Sequence, residues 1–438
     1  MIARDCSPLD PQPNPVEADW LRQLTANIHA CDLVIPVSSF SDDDEPVVYC
    51  NWDGTWWAGR YVGNISFQGK RLTILPRFGL STLRNWFCEA TSVVLTEAPG
   101  RLREDESFIA LLLASVWSYG FVSAARHGLP SLRCNVPNKG MTIRGKLDVP
   151  GSIRLIASGE KEMVSLRTEK SLNHATSRSI VAAYSVLRRW LPDEKWIPQR
   201  VKELLPHLLA VTGPRPCVPT KNELDRIRYT PITIGFAPLA ELSRKIARRR
   251  GLSSEVEANS ESKGVLLDVA ELWELYVLSV LRKAATPLTV KHGTREQGST
   301  KKLLWSEVNG QGFGTLIPDA ILYSKRHIRG VVDAKYKSIH PTAYSALGPQ
   351  REDLYQMAAY LERFSPGKGL PAWGLLAYPE HPDLTTIAPS EQGSPWQLST
   401  DKKIVFTSLP HDAASATAKL RDWIVKMNLS LAEAPPAF

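Results

Sequence analysis

Two aspartates and one lysine in the C-terminal third of the chain have the types and spacing that metal-dependent hydrolysis requires. Asp319 and Asp333 lie in two consecutive runs of mostly apolar residues, and Lys335 follows two residues after Asp333. Two carboxylates that share one site repel each other unless a proton or a cation lies between them. Burying acids without such a partner is costly, so the apolar neighbours favour a divalent metal site over the alternative, an exposed ion-pair face.

A β-hairpin is the element that would bring these side chains together. Residues 315–324 and 328–337 both read as strands, and a short polar stretch separates them. If the turn is centred on Arg326, Asp319 stands directly opposite Asp333, and facing Cβ atoms are about 4.5–5.5 Å apart. The lysine lies two residues farther along the second strand, so all three polar side chains share one face.

Helices are predicted on both sides of this hairpin. Residues 266–282 have apolar residues at helical spacing and carry Glu274, and residues 352–364 show the same periodicity. In the second helix Gln356 and Tyr360 are four residues apart, so both side chains point to the same side. The predicted order is one helix, three strands, a second helix and two further strands.

These residues together resemble a known nuclease pattern. Pro318-Asp319 followed by Asp333-Ala334-Lys335 is similar to the motif that names the PD-(D/E)xK nuclease superfamily. Glu274 resembles the additional acidic residue of that fold. Gln356 and Tyr360 resemble the Q-x-x-x-Y of its RecB-like branch.

Longer segments narrow the resemblance to the McrC subunits of McrBC modified-cytosine restriction systems. The segments LDVAELWELYV, IPDAILY, VVDAKYK and EDLYQMAAY carry it in the C-terminal half. Residues 59–78 resemble the β-rich N-terminal segment of that family, and residues 127–153 resemble its central connector. The resemblance covers most of residues 59–378.

The resemblance implies a magnesium-dependent DNA endonuclease. It assigns the binding of one or two Mg²⁺ ions, or Mn²⁺, to four groups: Asp319, Asp333, the backbone carbonyl of Ala334 and, as an outer or direct ligand, Glu274. Lys335 would orient the attacking water or stabilise negative charge on the phosphate. Gln356 and Tyr360 would support the lysine region or the DNA backbone, ordinary helix packing being the alternative.

The resemblance also implies partners. The substrate would be double-stranded DNA, and the chain would act in antiviral defence with a hexameric McrB-like AAA+ GTPase. Residues 56–78 would engage that GTPase and stimulate it. The chain contains no G-x-x-x-x-G-K-[ST] motif, so we expect it to bind no nucleotide and to depend on GTP only through the partner. Two alternatives remain: a nuclease that acts alone or with a repair helicase, and a GTPase-activating scaffold that no longer cleaves DNA.

The sequence predicts a multidomain chain of mixed α+β and α/β class. The predicted segments are a poorly defined leader (1–45), a β-rich N-terminal domain (46–80) with room to extend back into the leader, a mainly helical middle region (81–250), a linker or loop (251–264) and a nuclease domain (265–438). Within the β-rich domain, Trp52, Trp56 and Trp57 are more typical of a small β core than of base stacking.

Composition and net charge constrain the binding partners only weakly. The 438 residues include 53 basic and 45 acidic side chains, a mild excess that permits a polyanionic partner without requiring one. Lys337 is one candidate for contacts with DNA phosphates. A run of basic residues near the end of a predicted helix is the other, although such a run can also be an ordinary solvated helix face: Arg244, Lys245, Arg248, Arg249 and Arg250.

The expected location is the cytoplasm. Six scattered cysteines without a C-x-x-C pair predict reduced thiols, and the first residues lack the order of a signal peptide. Residues 107–125 contain no charge, but their serines, glycine and tyrosine favour a buried helix over a membrane span.

Overall fold

The computed structural model describes eleven stretches of the chain. They are residues 1–27, 34–35, 45–91, 104–248, 263–293, 300–324, 327–341, 345–364, 372–381, 384 and 386–432. The chain forms two compact units, one made of residues 1–93 and 256–438 and the other of residues 94–255. The first unit therefore joins both ends of the chain.

The N-terminal part of the first unit is a β-rich layer with two helices. Its elements are β1 (Ile2–Arg4), α1 (Pro15–Asn27), β2 (Val34–Ile35), β3 (Val48–Cys50), β4 (Trp56–Ala58), β5 (Tyr61–Phe67), β6 (Lys70–Leu75) and α2 (Leu80–Thr91). The alternating burial along β5 and β6 gives this layer one apolar face.

The leader is more ordered than predicted. Helix α1 buries Trp20, Leu21 and Leu24 against the same core that contains Phe67. The Trp20 indole also donates a hydrogen bond of 2.9 Å to the carbonyl oxygen of Phe67. The prediction of a poorly defined leader is therefore wrong for residues 15–27, because these contacts with β5 stabilise a helix that the local sequence signals only weakly.

The three tryptophans of the N-terminal part have different environments. Trp56 lies in the core, as predicted. Trp57 is half-buried, whereas Trp52 is 94% exposed near the turn between β3 and β4. The prediction of a core role is wrong for Trp52, because its position beside the turn gives it no neighbours to pack against.

The second unit is helical but also contains a sheet. Its elements are α3 (Glu104–Ala124), β7 (Leu132–Gly140), β8 (Lys146–Leu147), α4 (Val149–Ala157), β9 (Met163–Ser171), α5 (Ala175–Trp190), α6 (Gln199–Thr212), α7 (Lys221–Asp225) and α8 (Phe236–Arg248). Strands β7 and β9 pair antiparallel along nine residues each, and β8 extends the sheet. Residues 132–171 are thus a sheet with one short helix rather than the connector that the polar, proline-containing sequence suggested.

The apolar segment 107–125 is helical, as predicted. It lies almost wholly within α3, where Trp117 and Phe121 are fully buried. In the described part of the chain, we find no helix whose length and apolar character would allow it to cross a membrane.

The C-terminal part of the first unit contains the predicted site. Its elements are β10 (Lys263–Asp268), α9 (Val269–Ala284), β11 (Thr289–His292), β12 (Lys301–Trp305), β13 (Gly312–Leu316), β14 (Ala320–Ser324), β15 (His327–Ala334), α10 (Arg351–Phe364), β16 (Ala372–Pro379), α11 (Pro389–Gln392), β17 (Trp396–Ser399), β18 (Lys402–Leu409) and α12 (Ala413–Ala432). Strands β12 and β13 form a separate two-stranded hairpin.

A six-stranded mixed sheet carries the site, in the order β11, β14, β15, β16, β18 and β17. Strands β15, β16 and β18 run parallel, and α10 connects the first two. Helix α10 packs on one face of the sheet through Met357, Tyr360, Leu361 and Phe364, which belong to one buried cluster with Val331. This packing brings the polar face of α10 to the end of β15.

A second, N-terminal sheet has the order β1, β6, β5, β10 and β2. Strand β10 pairs antiparallel with β5, although the two are about 200 residues apart in the chain. Residues 263 and 264, predicted as the end of the linker, are therefore paired strand residues, whereas residues 251–262 lie outside the described part. Because α9 begins directly after β10, the N-terminal sheet is covalently continuous with a helix of the site.

Candidate functional site

The hairpin of β14 and β15 has the predicted register at its site end. Ala320 pairs with Val332, which makes Asp319 and Asp333 the next opposite positions. Nearer the connection, a bulge shifts the register so that Ser324 pairs with His327. The predicted turn centre, Arg326, lies outside the described residues, whereas the pairing derived from it holds at the site end of the hairpin.

Asp319 lies just outside a strand. Residues 315–324, predicted as one strand, divide into β13 and β14 because Pro318 has no backbone N–H to donate. Gly293 donates its N–H to the carbonyl oxygen of Asp319 at 3.2 Å. A Cβ atom at Gly293 would lie 1.7 Å from the carbonyl oxygen of Pro318, so only glycine permits this close approach.

The two aspartates face each other across the end of the hairpin. Asp319 Oδ2 accepts a hydrogen bond of 2.6 Å from the backbone N–H of Ala334, which holds the carboxyl group beside Asp333. Burial, and then the neighbouring charge of Asp333, raise the pKa of Asp319 to about 8. Burial also raises the pKa of Asp333, although Lys335 opposes this shift. The pair therefore favours a shared proton or a bound cation over two free negative charges.

Lys335 is held by the site rather than by solvent. Its Nζ lies 2.6 Å from Asp333 Oδ2 and donates a hydrogen bond of 2.6 Å to Gln356 Oε1, and its side chain is 15% exposed. Burial disfavours its charge, but Asp333 and Asp353 outweigh that cost and raise the pKa of Lys335. The ammonium group thus remains protonated across the physiological range.

Gln356 and Tyr360 connect the lysine to the backbone of the segment that precedes Asp319. Gln356 Nε2 donates to the Tyr360 hydroxyl at 2.8 Å, and that hydroxyl donates to the carbonyl oxygen of Ile317 at 2.9 Å. The chain of hydrogen bonds runs from Lys335 through two side chains of α10 to the backbone two residues before Asp319. Both residues predicted as supporting groups therefore contact the predicted site.

Asp353 is a site residue that the sequence analysis missed. This carboxylate is 2% exposed, and its Oδ1 lies 3.8 Å from Lys335 Nζ and 3.1 Å from Lys337 Nζ. Its spacing of three residues before Gln356, on the same face of α10, is a signal that could have identified it. Lys337, which is predicted to contact DNA, also donates a hydrogen bond of 2.7 Å to Gln350 Oε1 and is 41% exposed.

Glu274 lies on α9 near the two aspartates. Burial, followed by the charges of Asp319 and Asp268, raises its pKa well above the usual range. Within the described residues, no three His, Cys, Asp or Glu side chains lie close enough together to bind one metal ion.

The donor set at Asp319 and Asp333 fits a divalent cation that prefers oxygen ligands. Mg²⁺ usually binds one or two protein carboxylates and keeps several waters, so a third side-chain ligand is not required. Burial raises the pKa of both aspartates, and a cation bound between them would favour their charged forms. The resemblance also assigns the backbone carbonyl of Ala334 to metal binding. The backbone N–H of the same residue donates to Asp319, so Ala334 lies beside the carboxylate pair.

The basic run at the end of α8 is not one uniform surface. Arg244 is 7% exposed, and its guanidinium donates to Glu241 through Nε at 2.9 Å and Nη2 at 2.5 Å. The prediction that Arg244 contacts DNA phosphates is therefore wrong, because it belongs to the buried face of α8. Lys245 is half-buried and Arg248 is exposed, whereas Arg249 and Arg250 lie outside the described residues.

Fold and site together define a mixed α/β protein in which a carboxylate pair and a lysine meet at the end of a sheet. The model of a family described as "McrBC 5-methylcytosine restriction system component" matches residues 57–379. The chain belongs to this family and is a component of a restriction system of that kind.

One solved structure has a fold similar to that of this chain. A chain of the refined half-complex from the tetradecameric assembly of Thermococcus gammatolerans McrB AAA+ hexamers with bound McrC has 16% identity and a TM-score of 0.53. That match covers 98% of this chain and 99% of the other chain. A chain of the T. gammatolerans McrBC complex determined by cryo-electron microscopy, also 16% identical, gives a TM-score of 0.33 over 65% of this chain and 87% of the other. The comparison with curated proteins found no match.

Proposed function

We propose that this chain is the DNA-cleaving subunit of a modification-dependent restriction system of the McrBC type. Its C-terminal part would be a nuclease core of the PD-(D/E)xK class that hydrolyses phosphodiester bonds with Mg²⁺ in the cytoplasm. The observation that carries this proposal is the convergence of Asp319, Asp333 and Lys335 at one end of the β14–β15 hairpin.

The proposed reaction assigns a distinct task to each group. Asp319 and Asp333 would hold the cation, assisted by the carbonyl oxygen of Ala334. A divalent cation bound there lowers the pKa of a bound water and offsets negative charge on the phosphate. The protonated Lys335 would hydrogen-bond either the attacking water or the phosphate oxygen on which charge develops.

The role of α10 in this proposal is to keep Lys335 in place. A lysine side chain has many rotamers, and fixing it before the reaction removes an entropic cost from the transition state. The hydrogen bonds from Lys335 through Gln356 and Tyr360 to Ile317 supply this restraint. We therefore assign Gln356 and Tyr360 to positioning rather than to the chemical step.

A hexameric AAA+ GTPase is the proposed partner. Family membership and the absence of a P-loop motif in the sequence support a division of labour in which the partner binds GTP and this chain cleaves the DNA. The Thermococcus chain of similar fold belongs to an assembly of McrB AAA+ hexamers with bound McrC. We propose that the N-terminal β-rich part engages the partner and stimulates GTP hydrolysis.

The test is cleavage by the reconstituted system. The chain, its partner GTPase, GTP and Mg²⁺ are incubated with a plasmid that contains 5-methylcytosine, and double-strand breaks are counted over time. We expect wild-type protein to cleave, EDTA to abolish cleavage, and Asp333→Asn to slow it by about 10³-fold or more. Asp422→Asn, an exposed aspartate on α12, is the matched control and should cleave like wild type.

Two outcomes would contradict the proposal. Cleavage by Asp333→Asn at the wild-type rate would remove this site from the reaction. Stimulated GTP turnover without cleavage by wild-type protein, under any Mg²⁺ or Mn²⁺ concentration, would instead support the non-cleaving scaffold.

A further inference from the structure

The segment Lys335–Lys337 has two different faces. Lys335 and Lys337 both direct their ammonium groups to Asp353 on α10. The backbone N–H of Lys337 donates to the carbonyl oxygen of Lys335 at 2.8 Å, which ties the three residues into one tight turn. The side chain between the two lysines, Tyr336, instead contacts residues of the N-terminal part.

Asp5 and Arg77 hold Tyr336 at two points. The Tyr336 hydroxyl donates to Asp5 Oδ2 at 2.6 Å, and Arg77 Nη2 donates to the Tyr336 carbonyl oxygen at 3.0 Å. Asp5 is fully buried, and its Oδ1 accepts the backbone N–H of Arg77 at 2.5 Å. The Arg77 guanidinium lies 4.3 Å from the centroid of the Tyr336 ring. These three residues are called the Asp5 cluster below.

The Asp5 cluster ties the N-terminal sheet to the residue next to Lys335. Asp5 directly follows β1 and Arg77 follows β6, two neighbouring strands of that sheet. On the side of the six-stranded sheet, the backbone N–H of Lys335 donates to the carbonyl oxygen of Ala377 at 2.8 Å, and its side chain contacts Asp333 and Gln356. The cluster therefore adds the restraint on the opposite side of the turn.

A second connection joins the same sheet to the helix that carries Glu274. Arg60 Nε lies 3.0 Å from Asp268 Oδ2, and the carbonyl oxygen of Arg60 accepts the N–H of Val269 at 3.1 Å. Asp268 also caps the first turn of α9 by accepting the N–H groups of Ala270 and Glu271. One sheet thus anchors two of the elements that surround the aspartate pair.

We propose that Asp5, Arg77 and Tyr336 are positioning residues for the Lys335 ammonium group, through which the N-terminal sheet sets the geometry of the cleavage site. The proposed restraint on the position of Lys335 rests only on the contacts described above. The proposed influence on DNA cleavage rests also on the proposed function. A partner that displaces the N-terminal sheet would change the position of Lys335 by the same route.

The test measures the accessibility of Lys335 directly. The full chain is labelled briefly with an amine-reactive reagent at pH 8, and mass spectrometry compares modification of Lys335 with that of Lys402. Lys402 is a suitable internal reference because its side chain is also 15% exposed and is paired, with Glu362. The variants are Tyr336→Leu, Tyr336→Phe and Asp5→Asn.

We expect a graded response. Tyr336→Leu removes both the hydroxyl and the ring beneath Arg77, and should raise the Lys335-to-Lys402 ratio about fivefold and slow cleavage about tenfold. Tyr336→Phe keeps the ring, which also packs against Phe78 and Trp86, and should give a smaller change in both. Tyr229→Phe, which removes a hydroxyl bonded to Thr176 in the other unit, should leave both unchanged.

The outcomes separate this inference from the proposed function. A wild-type labelling ratio in Tyr336→Leu and Asp5→Asn would overturn the inference, even if Asp333→Asn abolishes cleavage. A raised ratio would support it, even if Asp333→Asn cleaves normally and the nuclease assignment fails. If Tyr336→Leu unfolds, so that both lysines label equally, Tyr336→Phe and Asp5→Asn decide between these results.

Discussion

Two regions of this chain have the charged residues that a DNA-cleaving protein needs, and only one concentrates them into a site. At the end of β15, Asp333 and Lys335 meet Asp319 and a network of polar side chains from α10. At the end of α8, Arg244 is turned inward and paired with Glu241, while Arg248 faces outward. The basic run thus divides between the core and the surface.

The difference between these regions teaches which sequence signals specify geometry. Strand pairing assigns each residue one opposite partner, so the register that pairs Ala320 with Val332 also brings Asp319 opposite Asp333. A run of basic residues on a helix assigns no partner, and the 3.6-residue period distributes its members around the axis. Arg244 follows Ala240 by four residues and precedes Ala247 by three, which places it on the buried stripe of α8.

The largest effect that would sharpen this comparison is expected at Lys335. Lys335→Ala should slow DNA cleavage about 10³-fold, or about 4 kcal/mol in activation free energy, because it removes a fixed positive charge from the reacting phosphate. Lys161→Ala, at an exposed lysine of the other unit, is the control and should change the rate less than about threefold. Single-turnover cleavage rates distinguish the two. Equal losses would show that charge alone, and not its placement, matters.

A pH-dependent effect on metal binding comes next. Because the pKa values of Asp319 and Asp333 are raised, the pair retains a proton near neutral pH that a cation must displace. Mn²⁺ affinity of the isolated chain should therefore weaken as pH falls from 8 to 6, by up to about tenfold per pH unit. Calorimetric titration at several pH values measures this slope. An affinity independent of pH would mean that the aspartates are not the ligands.

A smaller loss of cleavage rate is expected when a hydrogen bond between α10 and the site is removed. Tyr360→Phe breaks the bond to Ile317 and leaves Gln356 without one partner, but it keeps the ring in its buried position. We expect cleavage to slow about tenfold with little change in the Mg²⁺ concentration required. Tyr229→Phe again controls for the loss of a hydroxyl. A change in Mg²⁺ requirement alone would place Tyr360 in metal binding rather than in positioning of Lys335.

The basic end of α8 should affect stability rather than cleavage. Arg244→Met retains the apolar stem but removes both bonds to Glu241, which is partly exposed, so we expect a loss of about 1–2 kcal/mol in unfolding free energy. Arg248→Ala should change it by less than about 0.5 kcal/mol. Chemical denaturation measures both. Slower cleavage by Arg248→Ala, at unchanged stability, would restore α8 as a DNA-binding surface.

Local patterns predict the centre of the site better than its surroundings. The types and spacing of Asp319, Asp333 and Lys335 are visible in the sequence because one hairpin and one two-residue step bring them together. The contacts of Asp5 with Tyr336 are not visible, because 331 positions separate the two residues and no periodicity links them. Helix α1 and the sheet of residues 132–171 were missed for a related reason: tertiary packing and pairing stabilise elements whose local sequence is ambiguous.

The location of a bound cation tests the central claim most directly. Crystals of the chain soaked in Mn²⁺ would be measured at the manganese absorption edge, for wild type and for the double variant Asp319→Asn/Asp333→Asn. We predict an anomalous peak within about 2.5 Å of carboxylate oxygens from both aspartates in wild type, and no peak there in the variant. A peak elsewhere, or one that persists in the variant, would contradict the account.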